Sequence, residues 1–221
     1  QVRAGSALPP DQKAVSFEVL IIDHCRLFQG GEERKMSKRA ASYVTLKELM
    51  EEVGVDATRF FFIMRKASSK LDFDMDLAVK REKDNPVYYA QYAHARIASI
   101  FRTGVEGGLI PASDLKDGAW AGSYEPTLIG SDEGDLLNVA RKFQRMVEIS
   151  ARDFDPALLA EYLRELSGAY QRYYELGRDP AKKVLCDHEP TRRARLAVSA
   201  AVQRVLRNGF RLLGLSAPEQ M

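Results

Sequence analysis

Apolar residues recur every three to four positions through the second half of the chain, which is the spacing of amphipathic helices that bury one face. The pair Asn85-Pro86 opens one such run as a helix cap followed by proline, and the run continues to Arg102 without a breaker. Further helices are predicted over residues 133–151, from Asp155-Pro156 to about Leu176, and from Thr191 to Leu213. Long helices with short connections predict a mostly α-helical bundle.

The first half of the chain contains shorter apolar segments. Residues 17–22 and 25–28 predict a strand or a strand pair, with a turn at Gly30-Gly31. A single strand cannot form a sheet by itself. Its partners are therefore expected either upstream of the chain or within a hairpin.

Two helices are predicted after these strands. Thr45 and Glu48 have the spacing of a capping box, and the helix that they begin should end at Gly54. Asp56 is expected to cap the next helix, which should continue to about Lys66. Farther along, residues 104–125 contain five glycines and predict a linker or a hairpin-like insertion.

The charge is small overall and unevenly distributed. A net charge of +2 over 221 residues does not by itself indicate a nucleic-acid-binding protein. Residues 1–104 carry 17 basic and 14 acidic side chains, residues 105–155 carry 5 and 10, and residues 156–221 carry 11 and 7. Two mildly basic ends on either side of an acidic middle would let a polyanion contact both ends.

Other features exclude several classes of protein. Cys25 and Cys186 have no metal-ligand spacing, and two thiols in a chain of this size indicate a reducing, cytoplasmic compartment. No apolar run approaches membrane-spanning length, so no membrane partner is expected. Asp72, Asp74 and Asp76 alternate like calcium ligands, but no glycine or distal Glu completes such a loop, and no metal site is predicted.

A basic loop is expected between the strand region and the first helix. Lys35 and Lys38 enclose Met36 and Ser37. Lysine is a mobile point charge that can follow a phosphate whose charge builds during a reaction. A solvated surface loop would explain the same residues, but the position between an apolar strand and a capped helix favours a phosphate-binding role.

Several longer motifs are more specific than this loop. The sequence KMSK is followed in order by RAASYVTLKEL, EVGVDATRFFFIMR, LDFDMDLA and NPVYYAQYAHAR. Near the other end stand YLRELSGAYQRYYE and ARLAVSAAVQRVLRNGFRLLGLSAPEQM. From Phe17 onward the chain resembles the arginyl-tRNA synthetases, which are class I aminoacyl-tRNA synthetases.

The resemblance implies a two-part organisation. In this family a Rossmann-type catalytic domain with HIGH-like and KMSK-like motifs precedes a helical anticodon-binding domain. No H-x-G-H motif occurs in the chain, which begins with Gln, so it is expected to be the C-terminal part of a longer enzyme. Residues 1–84 would be a β-containing remnant of the catalytic domain with the KMSK loop. Residues 85–221 would be the anticodon-binding bundle.

The resemblance also implies a reaction. The family joins arginine to the α-phosphate of ATP, releases pyrophosphate, and transfers the arginyl group to the 3′ end of its tRNA. Lys35 and Lys38 match the catalytic lysines of the motif and would balance charge on the β- and γ-phosphates. Met36 and Ser37 would shape the loop beside the ATP. Mg²⁺ is expected with ATP in the full-length enzyme, whereas the chain alone is expected to be inactive and to bind no cofactor.

The bundle is expected to bind tRNA(Arg) as a monomer. Tyr170 and Tyr174 lie one helical turn apart, where the family places aromatic residues against the anticodon loop. Tyr88, Tyr92 and Arg96 repeat the spacing on an earlier helix. Bases of single-stranded RNA loops stack on such aromatic rings, so these five residues are the predicted tRNA contacts.

Two alternatives remain open. The chain could be a free-standing tRNA-binding bundle without catalysis, or a fragment of another class I synthetase such as the cysteinyl enzyme. The KMSK string speaks against the first alternative, because a pure RNA-binding module needs no pyrophosphate loop. The run NPVYYAQYAHAR favours the arginine enzyme over the second.

Overall fold

The structure, a computed structural model, describes residues 19–34 and 44–221, and helices dominate this part of the chain. The helices are α1 (Leu46–Val53), α2 (Val55–Ile63), α3 (Met75–Val79), α4 (Pro86–Glu106), α5 (Ser131–Ala140), α6 (Phe143–Arg152), α7 (Ala157–Leu176) and α8 (Glu189–Leu213). The strands are β1 (Cys25–Gln29), β2 (Glu32–Glu33), β3 (Leu71–Asp74), β4 (Leu115–Lys116) and β5 (Ala119–Trp120). The prediction of a mostly α-helical bundle that follows a short β-containing part is confirmed.

Local side-chain hydrogen bonds explain several helix ends. The Thr45 hydroxyl accepts the backbone N–H of Glu48 at 3.1 Å, and the Glu48 carboxylate accepts the N–H of Thr45 at 2.7 Å. The Asn85 side chain accepts the N–H of Val87 at 3.2 Å at the start of α4. At the other extreme of the bundle, Gly214 ends α8 in the left-handed region with φ of 69°. These predicted caps and the predicted stop are confirmed.

Two helix predictions are wrong in detail. Helix α2 begins at Val55 directly after Gly54, so Asp56 lies inside its first turn and does not cap it. The helix ends at Ile63 and does not reach Lys66. The single helix predicted over residues 133–151 is two helices, α5 and α6, because the chain turns between them at residues 141–142.

The small sheet differs more from the prediction. Strand β1 pairs with β2 through the predicted Gly30-Gly31 turn, and it also pairs in parallel with β3. Strand β3 has alternating burial, with Leu71 and Phe73 inside. The strand predicted over residues 17–22 is wrong for residues 19–22, which have no strand pairing and are exposed, with Ile21 83% exposed.

One continuous apolar core connects the two halves. It extends from Phe73 on strand β3 of the small sheet to Phe210 on α8, and both rings are fully buried. Gly209 lets α8 approach α7, since a Cβ there would lie 2.4 Å from a methyl carbon of Leu163. The insertion after α4 is the predicted hairpin, β4 with β5, which buries Trp120 against α8. No helix in the described part of the chain combines the length and apolar content that a membrane span needs.

Candidate nucleic-acid interface

Helices α4 and α7 pack together and carry a row of four stacked side chains along one edge. Tyr88 and Tyr92 stack with ring centroids 5.9 Å apart and planes 12° apart. The Arg96 guanidinium carbon lies 4.5 Å from the Tyr92 ring centroid and 4.4 Å from that of Tyr174. The four-residue spacing on α4 places its three members on one face. We call these four residues the aromatic–arginine row.

Hydrogen bonds fix the guanidinium in the middle of this row. Arg96 Nη1 donates to Gln171 Oε1 at 2.6 Å, and Nη2 donates to the Tyr92 hydroxyl. A cation over an aromatic face contributes about 0.5–2 kcal/mol, depending on how dry the site is. The row is therefore ordered before any ligand arrives, which reduces the entropy that binding would cost.

The row ends in an accessible ring. Tyr174 is 40% exposed, while Tyr88, Tyr92 and Arg96 are half-buried. One side of the Tyr174 ring is covered by Arg96, and the remaining exposed surface can stack on another planar group. A nucleic-acid base is such a group, because every base has a π-face.

A cleft of about 900 Å³ lies beside the row. Tyr92, Arg96 and Tyr174 form part of its lining. Among the described residues, its charged side chains are four cations against two anions: Arg96, Arg102, Arg178 and Lys183 with Glu175 and Glu219. An excess of positive charge next to a stacking surface attracts a phosphate backbone and presents a place for its bases.

A buried network shapes the loop that carries part of this charge. The Tyr173 hydroxyl donates to the Glu133 carboxylate at 2.8 Å, and burial raises the pKa of Tyr173, which keeps its proton in place. Arg195 pairs with Glu133 at 3.2 Å and donates to the backbone carbonyls of Ala181 and Lys183, each at 2.8 Å. The loop between α7 and α8 is thus held by hydrogen bonds from Arg195, whose guanidinium is itself paired with Glu133.

Tyr170 does not belong to this surface. Its side chain is fully buried, its hydroxyl donates to Ser199 Oγ at 3.3 Å, and burial raises its pKa. A base cannot stack on a ring that has no exposed face. The prediction that Tyr170 is a tRNA contact is therefore corrected, and of the two tyrosines on α7 that were predicted to contact tRNA only Tyr174 lines the cleft.

Two further groups of residues were considered from the sequence, the KMSK residues as a predicted site and three alternating aspartates as a metal site that was not predicted. Lys35, Met36, Ser37 and Lys38 lie outside the described residues. The three alternating aspartates each have a structural partner, since Asp72 pairs with Arg26, Asp74 caps α3, and Asp76 accepts the N–H of Gly30. Within residues 19–34 and 44–221, no cluster of three or more His, Cys, Asp or Glu side chains could hold a metal ion.

Several residues that line the cleft or hold Arg96 were not predicted from the sequence. Arg178 and Lys183 lie in the loop directly after the tyrosine-rich helix, and their basic character next to that helix is a usable signal. Gln171 precedes Tyr174 by three positions, which places it on the same helix face. Glu219 lies in the segment after α8, and no pattern in the sequence places that segment at the cleft.

A family comparison matches most of the bundle. Residues 90–221 match the family model described as the DALR anticodon binding domain. The match includes Tyr92, Arg96 and Tyr174, but it excludes α1, α2 and the small sheet.

Full-length relatives extend the similarity to nearly the whole chain. The chain is 44% identical over 206 residues to an arginine–tRNA ligase of Acidithiobacillus ferrooxidans, which covers 93% of this chain and 34% of the relative. It is 44% identical over 223 residues to an arginine–tRNA ligase of Geotalea daltonii, which covers 100% of this chain and 38% of the relative. The resemblance to arginyl-tRNA synthetases is confirmed, and the chain spans little more than a third of these relatives.

Solved structures agree with the fold. The Thermus thermophilus arginyl-tRNA synthetase superimposes with a TM-score of 0.65 at 30% identity, over 83% of this chain and 29% of that one. A candidate arginyl-tRNA synthetase of Campylobacter jejuni superimposes with a TM-score of 0.72 at 24% identity, over 90% of this chain and 40% of that one. The second similarity supports the fold alone.

Proposed function

Because the chain belongs to the family of the DALR anticodon binding domain, we propose that its bundle binds the anticodon loop of tRNA(Arg) as the C-terminal part of an arginine–tRNA ligase. The observation that carries this proposal is the aromatic–arginine row beside a cationic cleft. The names of the two relatives favour arginine ligation over a free-standing RNA-binding module and over a cysteinyl enzyme.

The row supplies the contacts to bases. An unpaired base of the anticodon loop stacks on the exposed surface of Tyr174, and Arg96 holds that ring from its other side. Tyr88 and Tyr92 continue the stack along α4 and keep Arg96 in position. Base–aromatic stacking is worth about 1–3 kcal/mol per base by alanine substitution.

The cleft supplies the contacts to phosphates. Arg102, Arg178 and Lys183 line it, and each can neutralise a phosphate of the RNA backbone. Such contacts add affinity that falls with salt and does not depend on base sequence. Part of the affinity therefore rests on these cations, and part rests on base stacking against Tyr174.

Catalysis belongs to the full-length enzyme in this proposal. Its substrates are arginine, ATP and tRNA(Arg), with Mg²⁺ accompanying ATP, and the enzyme works as a cytoplasmic monomer. Lys35 and Lys38 balance the charge that develops on the leaving pyrophosphate, and Met36 and Ser37 shape the loop around the nucleotide. This assignment rests on the motif KMSK and on the names of the relatives.

A matched pair of tyrosine substitutions tests the RNA contact. Tyr174 and Tyr124 are 40% and 44% exposed, but Tyr124 lies after the β4–β5 hairpin and does not line the cleft. Tyr174→Ala should weaken binding of an RNA hairpin with the tRNA(Arg) anticodon loop about tenfold, whereas Tyr124→Ala should leave binding unchanged. Fluorescence anisotropy titrations measure both affinities.

The outcome is decided by folded proteins alone. Circular dichroism should show that both variants retain the wild-type helix content. If folded Tyr174→Ala binds the hairpin as tightly as the wild type does, the aromatic–arginine row is not the base-binding surface. If the wild type itself does not bind the hairpin, the proposed function is wrong.

A further inference from the structure

The segment after α8, residues 214–221, runs along α4 and ends at the cleft; we call it the tail. His94 Nδ1 donates to the carbonyl of Pro218 at 2.8 Å, and Arg102 Nη1 donates to the carbonyl of Glu219 at 2.9 Å. The Leu215 side chain is buried in the core. The last three residues of the tail, from Glu219 to Met221, line the cleft. The tail is therefore one wall of the candidate RNA-binding surface.

The tail is fastened at its other end by a residue of α2. The Asp56 carboxylate accepts the backbone N–H of Ser216 at 3.2 Å and also accepts the Ser216 hydroxyl. Gln91 Nε2 donates to the same carboxylate at 2.7 Å and to the Ser216 carbonyl at 3.1 Å. Backbone N–H, carbonyl and side chain of Ser216 are thus all held by two side chains. Hydrogen bonds to a charged acceptor are the stronger kind.

Asp56 has a special position relative to the bundle. It lies outside residues 90–221, the part that matches the anticodon-binding family, while Gln91 and Ser216 lie inside. In sequence, 160 positions separate Asp56 from Ser216. Asp56, which precedes the matched region, therefore helps to hold the tail, which lies within the matched region and lines the cleft.

From this arrangement we infer that Asp56 is a positioning residue for RNA binding: through Ser216 it holds the tail against α4, so that Glu219, Gln220 and Met221 wall the cleft. The inference rests on the proposed function, because the cleft is the proposed RNA site. Without Asp56, the tail loses the hydrogen bonds at Ser216, which is the first residue after the buried Leu215. The competent form of the cleft is then less populated, and apparent affinity falls by that fraction.

Thermodynamic reciprocity gives the inference a second consequence. If the docked tail favours RNA binding, then bound RNA must favour the docked tail by the same factor. RNA in the cleft should therefore strengthen the contact between Ser216 and α2. This couples α2 energetically to the RNA site through the hydrogen bonds of Asp56 to Ser216.

Substitution of Asp56 tests the inference in the whole chain. Asp56→Ala should weaken binding of the tRNA(Arg) anticodon hairpin about tenfold, which corresponds to losing about 1.4 kcal/mol. Asp56→Asn keeps one carbonyl acceptor and should recover part of that loss. Asp135→Ala is the matched control, because Asp135 is an exposed carboxylate on α5 outside the cleft lining, and it should bind like the wild type.

Hydrogen exchange separates tail positioning from a general loss of stability. In Asp56→Ala the Ser216 amide should exchange faster, while amides in the middle of α7 keep their wild-type protection. Added hairpin should slow exchange of the Ser216 amide in the wild type. Ser216→Ala, which removes only the hydroxyl, should weaken hairpin binding less than Asp56→Ala does. It should add little on top of Asp56→Ala, since both substitutions act on one contact.

Four outcomes would overturn the inference. One is wild-type affinity in Asp56→Ala while the wild type binds the hairpin; the proposed function would then stand and the positioning role would fall. Another is an unchanged rate of Ser216 exchange in Asp56→Ala. If Asp56→Ala does not fold, Ser216→Ala decides, and wild-type affinity in that variant would overturn the inference. Absence of hairpin binding by the wild type would overturn the proposed function and this inference together.

Discussion

Helices α4 and α7 each have one side that packs in the core and one side that faces the cleft. Tyrosines on the two sides have different roles. On the core side, Tyr170 is fully buried and its hydroxyl donates to Ser199. On the cleft side, Tyr174 is 40% exposed and its ring covers Arg96. His94 and Arg96, two positions apart on α4, differ in the same way, since His94 is fully buried and Arg96 is half-buried.

The comparison shows that accessibility, and not residue type or spacing, determines which aromatic rings can bind. Packing covers both faces of the Tyr170 ring, so its contribution is to stability. Arg96 covers one side of the Tyr174 ring and leaves surface free. Substitutions on the core side should therefore change the free energy of unfolding, and substitutions on the cleft side should change RNA affinity.

The largest effect is expected on the core side at Tyr170. Tyr170→Ala removes a fully buried ring and leaves a cavity among packed side chains. The free energy of unfolding should fall by about 3–5 kcal/mol, as for other large aromatic-to-alanine changes in cores. Urea denaturation followed by circular dichroism measures the change.

Tyr170→Phe is the control for this prediction. It keeps the ring and loses only the hydroxyl that donates to Ser199, so the loss should be about 1 kcal/mol. The folded variant should bind the anticodon hairpin with wild-type affinity. Weakened hairpin binding in a folded Tyr170→Phe variant would place Tyr170 in the interface and contradict the comparison.

A smaller effect on the core side depends on pH. Burial lowers the pKa of His94, with the nearby positive charge of Arg207 acting in the same direction and the Pro218 carbonyl and Glu219 opposing it. The unfolded chain therefore takes up a proton more readily than the native protein does. Stability from this group is complete above the ordinary histidine pKa of about 6.5 and is lost as the pH falls below it, by at most about 1.4 kcal/mol per pH unit.

Urea denaturation at two pH values tests this predicted contribution of His94 to stability. The free energy of unfolding should fall between pH 7.5 and pH 5.5 by more in the wild type than in His94→Asn, which cannot titrate. Only the change in the free energy of unfolding between the two pH values is compared. A destabilisation by the substitution that is the same at both pH values therefore cancels. Equal losses in the two proteins would show that His94 does not change its protonation on unfolding.

The smallest effect is expected on the cleft side at Arg96. Arg96→Lys keeps the positive charge but loses the planar group between Tyr92 and Tyr174 and the bond to Gln171. Hairpin affinity should fall about threefold, and its salt dependence should stay the same because the number of cations is unchanged. Wild-type affinity in folded Arg96→Lys would show that the planar guanidinium does not support the base-binding ring.

Local signals in the sequence predicted much of the fold. The capping box at Thr45 and Glu48 and the pair Asn85-Pro86 are contacts between near neighbours, and the structure contains both. Strand β3 was missed because it exists through parallel pairing with β1, whose partner residues are 46 positions away. Such pairing leaves only a short alternating pattern in the sequence, which a polar loop can share.

The site was harder to predict than the fold. The four-residue spacing correctly groups Tyr88, Tyr92 and Arg96 on one face of α4. The same rule fails for Tyr170 and Tyr174. Spacing places the two rings on a common helix face, but it does not predict that neighbouring helices bury Tyr170 and leave Tyr174 exposed. The tail contacts between Asp56 and Ser216 join residues 160 positions apart and have no local signature.

Photochemical crosslinking tests the central claim most directly, because 5-iodouridine joins to aromatic rings that stack on it. The iodinated base is placed at each position of the tRNA(Arg) anticodon loop in turn, and mass spectrometry identifies the joined residue. We expect a crosslink to Tyr174 at one or more loop positions and none to Tyr170. The crosslink should persist in Tyr174→Phe, which keeps the aromatic ring, and should be lost in Tyr174→Ala, which removes it. Crosslinks that map outside the aromatic–arginine row and its cleft, with none to Tyr174, would contradict it.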